Sequence, residues 1–326
     1  MIISRTPFRI SFVGGGTDLQ SFYNEEGGAV ISTAINKYVY ITVKKQNDLH
    51  PHRIRISYST TENVEKVTDI KHPIVREVLG YLGVNHPIEI TSIADIPART
   101  GLGSSSTFTV GLLNAIHALN GEHVSSKKLA EEACYIEIEK LGRPIGKQDQ
   151  YAAAFGGMNS MIFNPDESVS VSPIICKEEI RKKLFGNLLS FYTGITRDTN
   201  EILREQINNK NTNHNSLREL KKMVTDFKNT IENGQNIDHL GEILHQSWMK
   251  KRQLTQNITN TKIDGYYENA RKAGAIGGKL LGAGGGGFLL IYADKHKHAA
   301  IRESLKDLIE LNFDYESEGS KIIYIA

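Results

Sequence analysis

Cysteine is nearly missing from this 326-residue chain, which carries only Cys134 and Cys176. Neither belongs to a CxxC pair, so a disulfide framework and a cysteine zinc site are both excluded, and a reducing, cytoplasmic setting is expected. Charge of one sign is missing too. Lys plus Arg number 39 against 37 Asp plus Glu, a formal net charge of +2, so there is no cationic field of the kind that holds nucleic acid. No segment reaches the roughly eighteen apolar residues a membrane span needs. The N-terminal apolar stretch is broken by Arg5 and Arg9, so neither an export signal nor a membrane partner is expected. Standard nucleotide signatures are also lacking. No GxxxxGK[ST] run occurs, which excludes the Walker A class, and neither the HRD nor the DFG motif of protein kinases is present. Gly282, Gly284 and Gly287 do satisfy GxGxxG, but the strand-like Phe288 to Tyr292 follows where a dinucleotide fingerprint requires a helix.

What is present reads as a mixed α and β chain, long enough for two domains. Ile2 to Val13 is rich in β-branched and aromatic residues and ends in Gly14, Gly15 and Gly16, so a strand running into a tight loop is predicted. Ala29 to Val43, Arg53 to Tyr58 and Ile88 to Ser92 have strand composition. A helix is predicted from the serine cluster Ser104 to Ser106, which could cap it, because Phe108, Leu112, Ala115, Ile116 and Leu119 recur at helical spacing. Another is predicted over Ser126 to Leu141, stopped by Gly142 and Pro144. Lys177 to about Lys272 is polar and mostly helical in pattern, with Asn208 to Asn215 its most loop-like stretch. That shift in composition places a domain boundary near residue 180, dividing the chain into 1–180 and 181–326. Lys279 to Ala293 and Lys321 to Ala326 look like strands, with a helix from Lys297 to Leu311 between them.

Four constellations carry chemistry. In PARTGLGSSS, Pro97 to Ser106, Gly101 and Gly103 let backbone N–H groups approach an anion at the positive end of a helix. An ordinary capped helix after a glycine turn would look the same. Glu137 falls on the stripe of Ala130, Ala133, Cys134 and Leu141, and a buried carboxylate must be paired, hydrogen-bonded or bound to a metal. Glu139 falls on the solvated face instead. Asp149 opens the small-residue run Tyr151 to Gly157 and reads equally as a helix-start carboxylate or a catalytic group. Arg9 with Gly14 to Gly16 and Asp18 forms the third constellation, and Gly282 to Gly287 the fourth. Both loops are glycine-dense enough either to turn sharply or to let a ligand reach the main chain.

Taken in this order, the four pieces resemble the GHMP kinase family. RTPFRISFVGGGTDL (5 to 19), PARTGLGSSS (97 to 106) and KLLGAGGGGFLL (279 to 290) are similar to its first, second and third motifs, so the resemblance covers nearly the whole chain. It implies an α+β, two-domain GHMP kinase fold, with a ribosomal protein S5 domain 2-like N-terminal domain, containing a left-handed βαβ unit, and a ferredoxin-like C-terminal domain. It also implies roles. Pro97, Gly101, Leu102, Gly103, Ser104, Ser105 and Ser106 would hold ATP, and Ser105 with Glu137 would hold Mg²⁺. Asp149 would be the catalytic base, with Arg9 beside it. Gly14, Gly15, Gly16, Thr17 and Asp18, together with Gly284, Gly285 and Gly286, would contact the acceptor.

The first motif departs from the Gly-Glu-His-Thr-Asp of galactokinases. Its GGGTD form is similar to the D-glycero-D-manno-heptose 7-phosphate kinases and to the kinase domain of fucokinases, and the absence of an attached nucleotidyltransferase domain points to the former. The implied activity is phosphorylation of a sugar at O1. An acceptor that already carries a phosphate needs a second basic site, for which Arg143, Lys147 and Arg99 are candidates. A fucokinase-like or other small-molecule kinase of the family, and a catalytically silent nucleotide or sugar sensor, are the rival readings. A homodimer is left open.

Overall fold

Pro7 stands in the middle of the first predicted strand, where a residue without an N–H would break a regular ladder. The computed structural model, which describes residues 1–47, 49–196 and 199–326, shows how the strand survives. Its pairing with the next strand runs from Ile2 opposite Val43 to Pro7 opposite Tyr38, then shifts register between Pro7 and Phe8. The irregularity falls at the proline.

In chain order the first elements are β1 (Ile2–Val13), α1 (Gln20–Glu26), β2 (Gly28–Lys45), β3 (Ile54–Ser57), β4 (Thr61–Val64), α2 (Pro73–Tyr81) and β5 (Ile88–Ala94). Then come α3 (Ser104–Leu119), α4 (Ser126–Cys134), α5 (Gln148–Phe155), β6 (Met158–Phe163) and β7 (Val169–Pro173). The remainder is α6 (Glu178–Gly186), β8 (Leu188–Tyr192), α7 (Thr199–Asn208), α8 (Lys210–Asn233), α9 (His239–Lys251), α10 (Thr261–Lys272), β9 (Gly277–Leu280), β10 (Phe288–Tyr292), α11 (His298–Ser304), β11 (Ile309–Glu310) and β12 (Lys321–Ile325). One sheet has the order β12-β1-β2-β5-β3-β4, with β6 and β7 continuing from β2, and the other is β11-β8-β10-β9. Among the described residues only β3 and β5 pair in parallel. Among the described residues no helix is long and apolar enough to cross a membrane.

Several differences from the sequence reading have physical causes. The Asn-rich stretch from Asn208 is the junction of α7 with α8, and α8 starts at Lys210. Amphipathic packing overrides the turn preference of asparagine there. β8 lies inside the segment expected to be helical, and its five residues LLSFY are too few to show a period. α11 ends at Ser304, short of the expected Leu311, because Ile309 and Glu310 pair with β8. The expected division at residue 180 does not follow the sheets to the C-terminus, since β12 lies in the first sheet, antiparallel to β1.

Helix α3 is the axis of the first sheet's core. Its buried positions include Val110, Leu112, Leu113, Ala115 and Ile116, and Ser4 Oγ on β1 donates to the Gly111 carbonyl at 2.8 Å. A Cβ at Gly111 would stand 2.8 Å from Thr6 Oγ1, so the glycine permits this close approach. Strand β10 lies between two apolar clusters. Phe288, Leu290 and Tyr292 face the larger and Leu289 and Ile291 the smaller, which is why FLLIY is apolar without alternation.

His117, near the end of α3, joins that helix to α4. It is buried, with its Nδ1 2.7 Å from Glu122 and its Nε2 2.7 Å from Glu132. The hydrogen bond to Glu132, ahead of the opposing effect of burial, raises its pKa above the ordinary histidine value. A raised folded-state pKa stabilises fully below the unfolded value of about 6.5 and ceases to do so as pH rises through the folded value. His117→Gln should therefore lower stability by about 1–3 kcal/mol at about pH 6 and by less at about pH 9, as urea denaturation at the two pH values would show.

Candidate active site

The loop before α3 is built to expose main-chain donors. Gly101 and Gly103 take φ values of +84° and +80°, and Arg99 takes +65° without being glycine. The N-cap is Gly103, which has no side-chain cap. The serines therefore do not cap the helix as expected. They form its first turn, leaving the N–H groups of Ser104, Ser105 and Ser106 without intrahelical acceptors at the positive end of a four-turn helix. That is an anion cradle.

The serine hydroxyls turn to Glu137. Ser105 Oγ donates to Glu137 Oε1, and Ser106 Oγ donates to Oε2 at 2.6 Å. Gln150 Nε2 donates to Oε2 at 2.9 Å, and the Arg143 guanidinium reaches Oε1 at 2.8 Å and also Ser105 Oγ. Glu137 has no exposed side-chain surface. Burial raises its pKa, opposed by the bonds from Ser105 and Ser106 and then by the charge of Arg143. The predicted helix through this residue is not uniform. α4 gives way to a π-helical turn over Tyr135–Lys140, an insertion often found at functional sites.

A second carboxylate meets the loop from the other side. Arg9 Nε donates to Asp149 Oδ1 at 2.7 Å and Nη2 to Oδ2 at 2.6 Å, while Nη1 donates to the Gly101 carbonyl at 2.8 Å. The bidentate pair thus ties β1, the anion loop and the first turn of α5 together. Asp149 keeps 24% of its side chain exposed against 4% for Arg9, so the carboxylate faces open space. Asp18 lies nearby and is buried. Its Oδ1 accepts from Gly16 N at 3.0 Å and Gln148 Nε2 at 3.1 Å, and its Oδ2 from Gln148 N at 3.3 Å. Burial first, and then the charge of Asp149, raise its pKa.

Arg9, Asp18, Gly101, Gly103, Ser104, Ser105, Ser106, Asp149, Gly15, Gly16 and Pro97 all line one cavity of about 980 Å³. Glu137 stands behind Ser105 and Ser106. Other residues named from the sequence lie elsewhere. Leu102 is a core side chain whose carbonyl accepts from Arg9 N. Gly14 and Thr17 are buried away from the cavity. A Cβ on Gly14 would fall 2.0 Å from the Ala29 carbonyl, and Thr17 Oγ1 donates to the carbonyls of Gly14 and Ala29, so both brace the turn.

Gly284, Gly285 and Gly286 are likewise packed on neighbouring chain. A Cβ on Gly284 would meet Ile258 Cα at 2.9 Å and one on Gly286 the Ile195 carbonyl at 2.2 Å, while Gly285 N donates to the Ile258 carbonyl. Gly282 and Ala283 form the wall instead. Of the three suggested basic residues, Arg143 is held by Glu137 and Arg99 is exposed at the rim. Lys147 is outside the cavity, 4.9 Å from the Tyr23 ring centre and bonded to the Glu167 carbonyl.

Sequence reasoning missed two features of this cavity. One is an apolar slot of Tyr58, His72, Pro73, Ile74 and Phe108, in which the rings of Tyr58 and Phe108 lie 4.8 and 5.0 Å from that of His72. The other is a pair of buried lysines, Lys251 and Lys279. A charged residue inside the small and apolar run GGKLLG was the available signal for Lys279.

Known proteins were compared with this chain. Residues 69–157 match the family model for the GHMP kinases N terminal domain, and residues 210–310 that for the GHMP kinases C terminal domain. A D-glycero-alpha-D-manno-heptose 7-phosphate kinase of Campylobacter jejuni is 30% identical over 333 residues, covering 98% of both chains. A crystal structure of a putative sugar kinase from Campylobacter jejuni superposes with a TM-score of 0.79 at 27% identity, over 99% of this chain and 98% of the other. One described as a D-glycero-D-manno-heptose 1-phosphate kinase, from Bacteroides thetaiotaomicron, shares the fold over the full length of both chains with a TM-score of 0.83 at 24% identity.

The position of Asp18 depends on a missing side chain. A Cβ on Gly146 would lie 2.0 Å from Asp18 Oδ2. Gly146→Ala should destabilise the protein by about 1–3 kcal/mol through overpacking. Gly265→Ala, in α10 with nothing within 4 Å, should instead stabilise by roughly 0.5–1 kcal/mol. Chemical denaturation of the two variants checks both signs.

Proposed function

The chain belongs to the GHMP kinase family, and from that membership we propose that it transfers the γ-phosphoryl group of ATP to O1 of D-glycero-D-manno-heptose 7-phosphate. The product is the 1,7-bisphosphate, an intermediate suited to making nucleotide-activated heptose. The reading is supported most by one observation, the Arg9–Asp149 pair standing beside the uncapped start of α3 in a single cavity. The two-domain fold is that of the family's sugar and mevalonate kinases. The sugar is taken from the relative that aligns end to end with this chain.

In this reading the Tyr58–His72–Phe108 slot takes the base, and the N–H groups of Ser104 to Ser106 hold the phosphates. Asp18 and Gly16 border the sugar. Asp149 accepts the O1 proton as the new O1–P bond forms and the bond from the γ-phosphorus to the leaving oxygen breaks, releasing ADP. Arg9 keeps the carboxylate aimed, and its charge offsets that of the transferring group. The outward side of Asp149 is left for the substrate because Arg9 occupies the other.

The donor set also suits magnesium. Among the described residues no group of three or more His, Cys, Asp or Glu side chains could hold a metal, so an ion here would share its shell with phosphate and water, as Mg²⁺ does. Ser105 Oγ and Glu137 Oε1 are hard oxygens in contact, and the Arg143 guanidinium beside them shows that the spot accommodates positive charge. Bound there, Mg²⁺ would neutralise the β- and γ-phosphates. Release of Arg143 from Glu137 would accompany its binding.

An ADP-release assay across heptose 7-phosphate, fucose, galactose, mannose and mevalonate tests the assignment. Heptose 7-phosphate should give the highest kcat/KM, and Asp149→Asn should lower kcat by about 10²–10⁴. Best turnover on fucose would move the enzyme to the fucokinase branch. ATP binding with no ADP release on any acceptor would make it a sensor.

A further inference from the structure

Two buried ammonium groups in the cavity bond no carboxylate among the described residues. Lys251, the last residue of α9, donates to the Gly282 carbonyl. Lys279, in β9, donates to the carbonyls of Ser11 and Phe12 at 3.0 and 2.8 Å. Among the described residues neither has an acidic group within ion-pair distance. Each ammonium has three N–H donors, so two on Lys251 and one on Lys279 remain. The side chains are 6% and 2% exposed, yet both line the cavity. Lys251 feels the charges of Asp18 and Asp149 without bonding either, and a buried cation with no bonded counter-charge is unfavourable unless something supplies one.

The neighbours are also incomplete. Ser11 Oγ and Gln206 Nε2, on residues 5% and 6% exposed, have no partner among the described residues, and both residues line the same cavity. Gly15 and Gly16 bring the main chain alongside. A Cβ on Gly15 would be 3.7 Å from Ser11 Oγ, and one on Gly16 would be 3.7 Å from Gln206 Oε1. Two cations with spare N–H donors, a hydroxyl and an amide donor thus line the same cavity. None of them belongs to the anion loop of α3.

We propose that Lys251, Lys279, Ser11 and Gln206 form the subsite for a phosphomonoester that the acceptor sugar already carries. This rests on the reading of the protein as a kinase of a sugar phosphate. A phosphate dianion has the charge to offset both ammonium groups and enough acceptor oxygens for their remaining N–H bonds, the Ser11 hydroxyl and the Gln206 amide. Burial, and then repulsion by Arg9, bring the pKa of Lys251 down to about 8 against the opposing charges of Asp18 and Asp149. Burial, and then repulsion by Lys251, hold that of Lys279 well below the ordinary lysine value. The anion would favour the charged form of both. Gln206 reaches the subsite beside Gly16, and Lys251 reaches it from Gly282, which packs on Gly101.

The test is the ratio of kcat/KM for heptose 7-phosphate to that for the unphosphorylated heptose, measured in the wild type and in Lys251→Met and Lys279→Met. The wild-type ratio tests the sugar phosphate reading, and a value near one would remove both that reading and the subsite's role. Given a high wild-type ratio, each lysine variant should lower it by about tenfold or more, with the KM for ATP little changed. An unchanged ratio, or an equal loss on both sugars with a raised KM for ATP, would overturn the subsite alone and assign the lysines to the transferred phosphoryl group. Should a lysine variant fail to fold, Ser11→Ala and Gln206→Leu carry the same comparison. In the wild type, inorganic phosphate should compete with heptose 7-phosphate, and competition with ATP alone would also overturn the subsite.

Discussion

The bidentate pair of Arg9 and Asp149 is the constraint on which the site depends. Through it β1, the glycine loop and α5 are fixed to one another, because the third guanidinium nitrogen bonds the Gly101 carbonyl. A lysine could not replace that planar fork without giving up one of the three segments. The loop in turn sets where α3 begins, and α3 sets which serines meet Glu137. Geometry at the anion end and at the carboxylate end is therefore one problem with a shared solution.

Positive charge is distributed unevenly in the cavity. Arg143 neutralises Glu137 and Arg9 neutralises Asp149, whereas among the described residues Lys251 and Lys279 bond main-chain oxygens. The paired cations orient acids. The unpaired ones leave an electrostatic deficit that an anionic ligand can relieve, and this divides the walls of a single cavity into two functions.

Much of this was legible in the sequence where local rules and tertiary packing agree. β1 spans the predicted Ile2–Val13, and α3 starts at the predicted Ser104. PARTGLGSSS exposed the anion loop because glycine spacing and a following apolar period are local signals. Glu137 was recognisable as a carboxylate on an apolar stripe. The glycine runs were read less well, since glycine serves equally for ligand approach and for chain-on-chain contact, and only the packing of Ile195 and Ile258 decides for Gly284 to Gly286. The meeting of Lys251 with Lys279 was not legible for a related reason. They are brought together by a helix end and a strand that are distant in sequence, and no short motif records such a meeting.

The return of β12 to the first sheet has a consequence during synthesis. The edge of β1 at Ile2 to Arg5 is covered by β12, which follows every strand of the second sheet in the chain, while α3 and β2 can dock on β1 much earlier. The nascent chain must therefore carry a bare strand edge through translation of the whole second sheet, a template for intermolecular pairing. Arg5 places a charge on that edge, which discourages such association until the closing strand arrives.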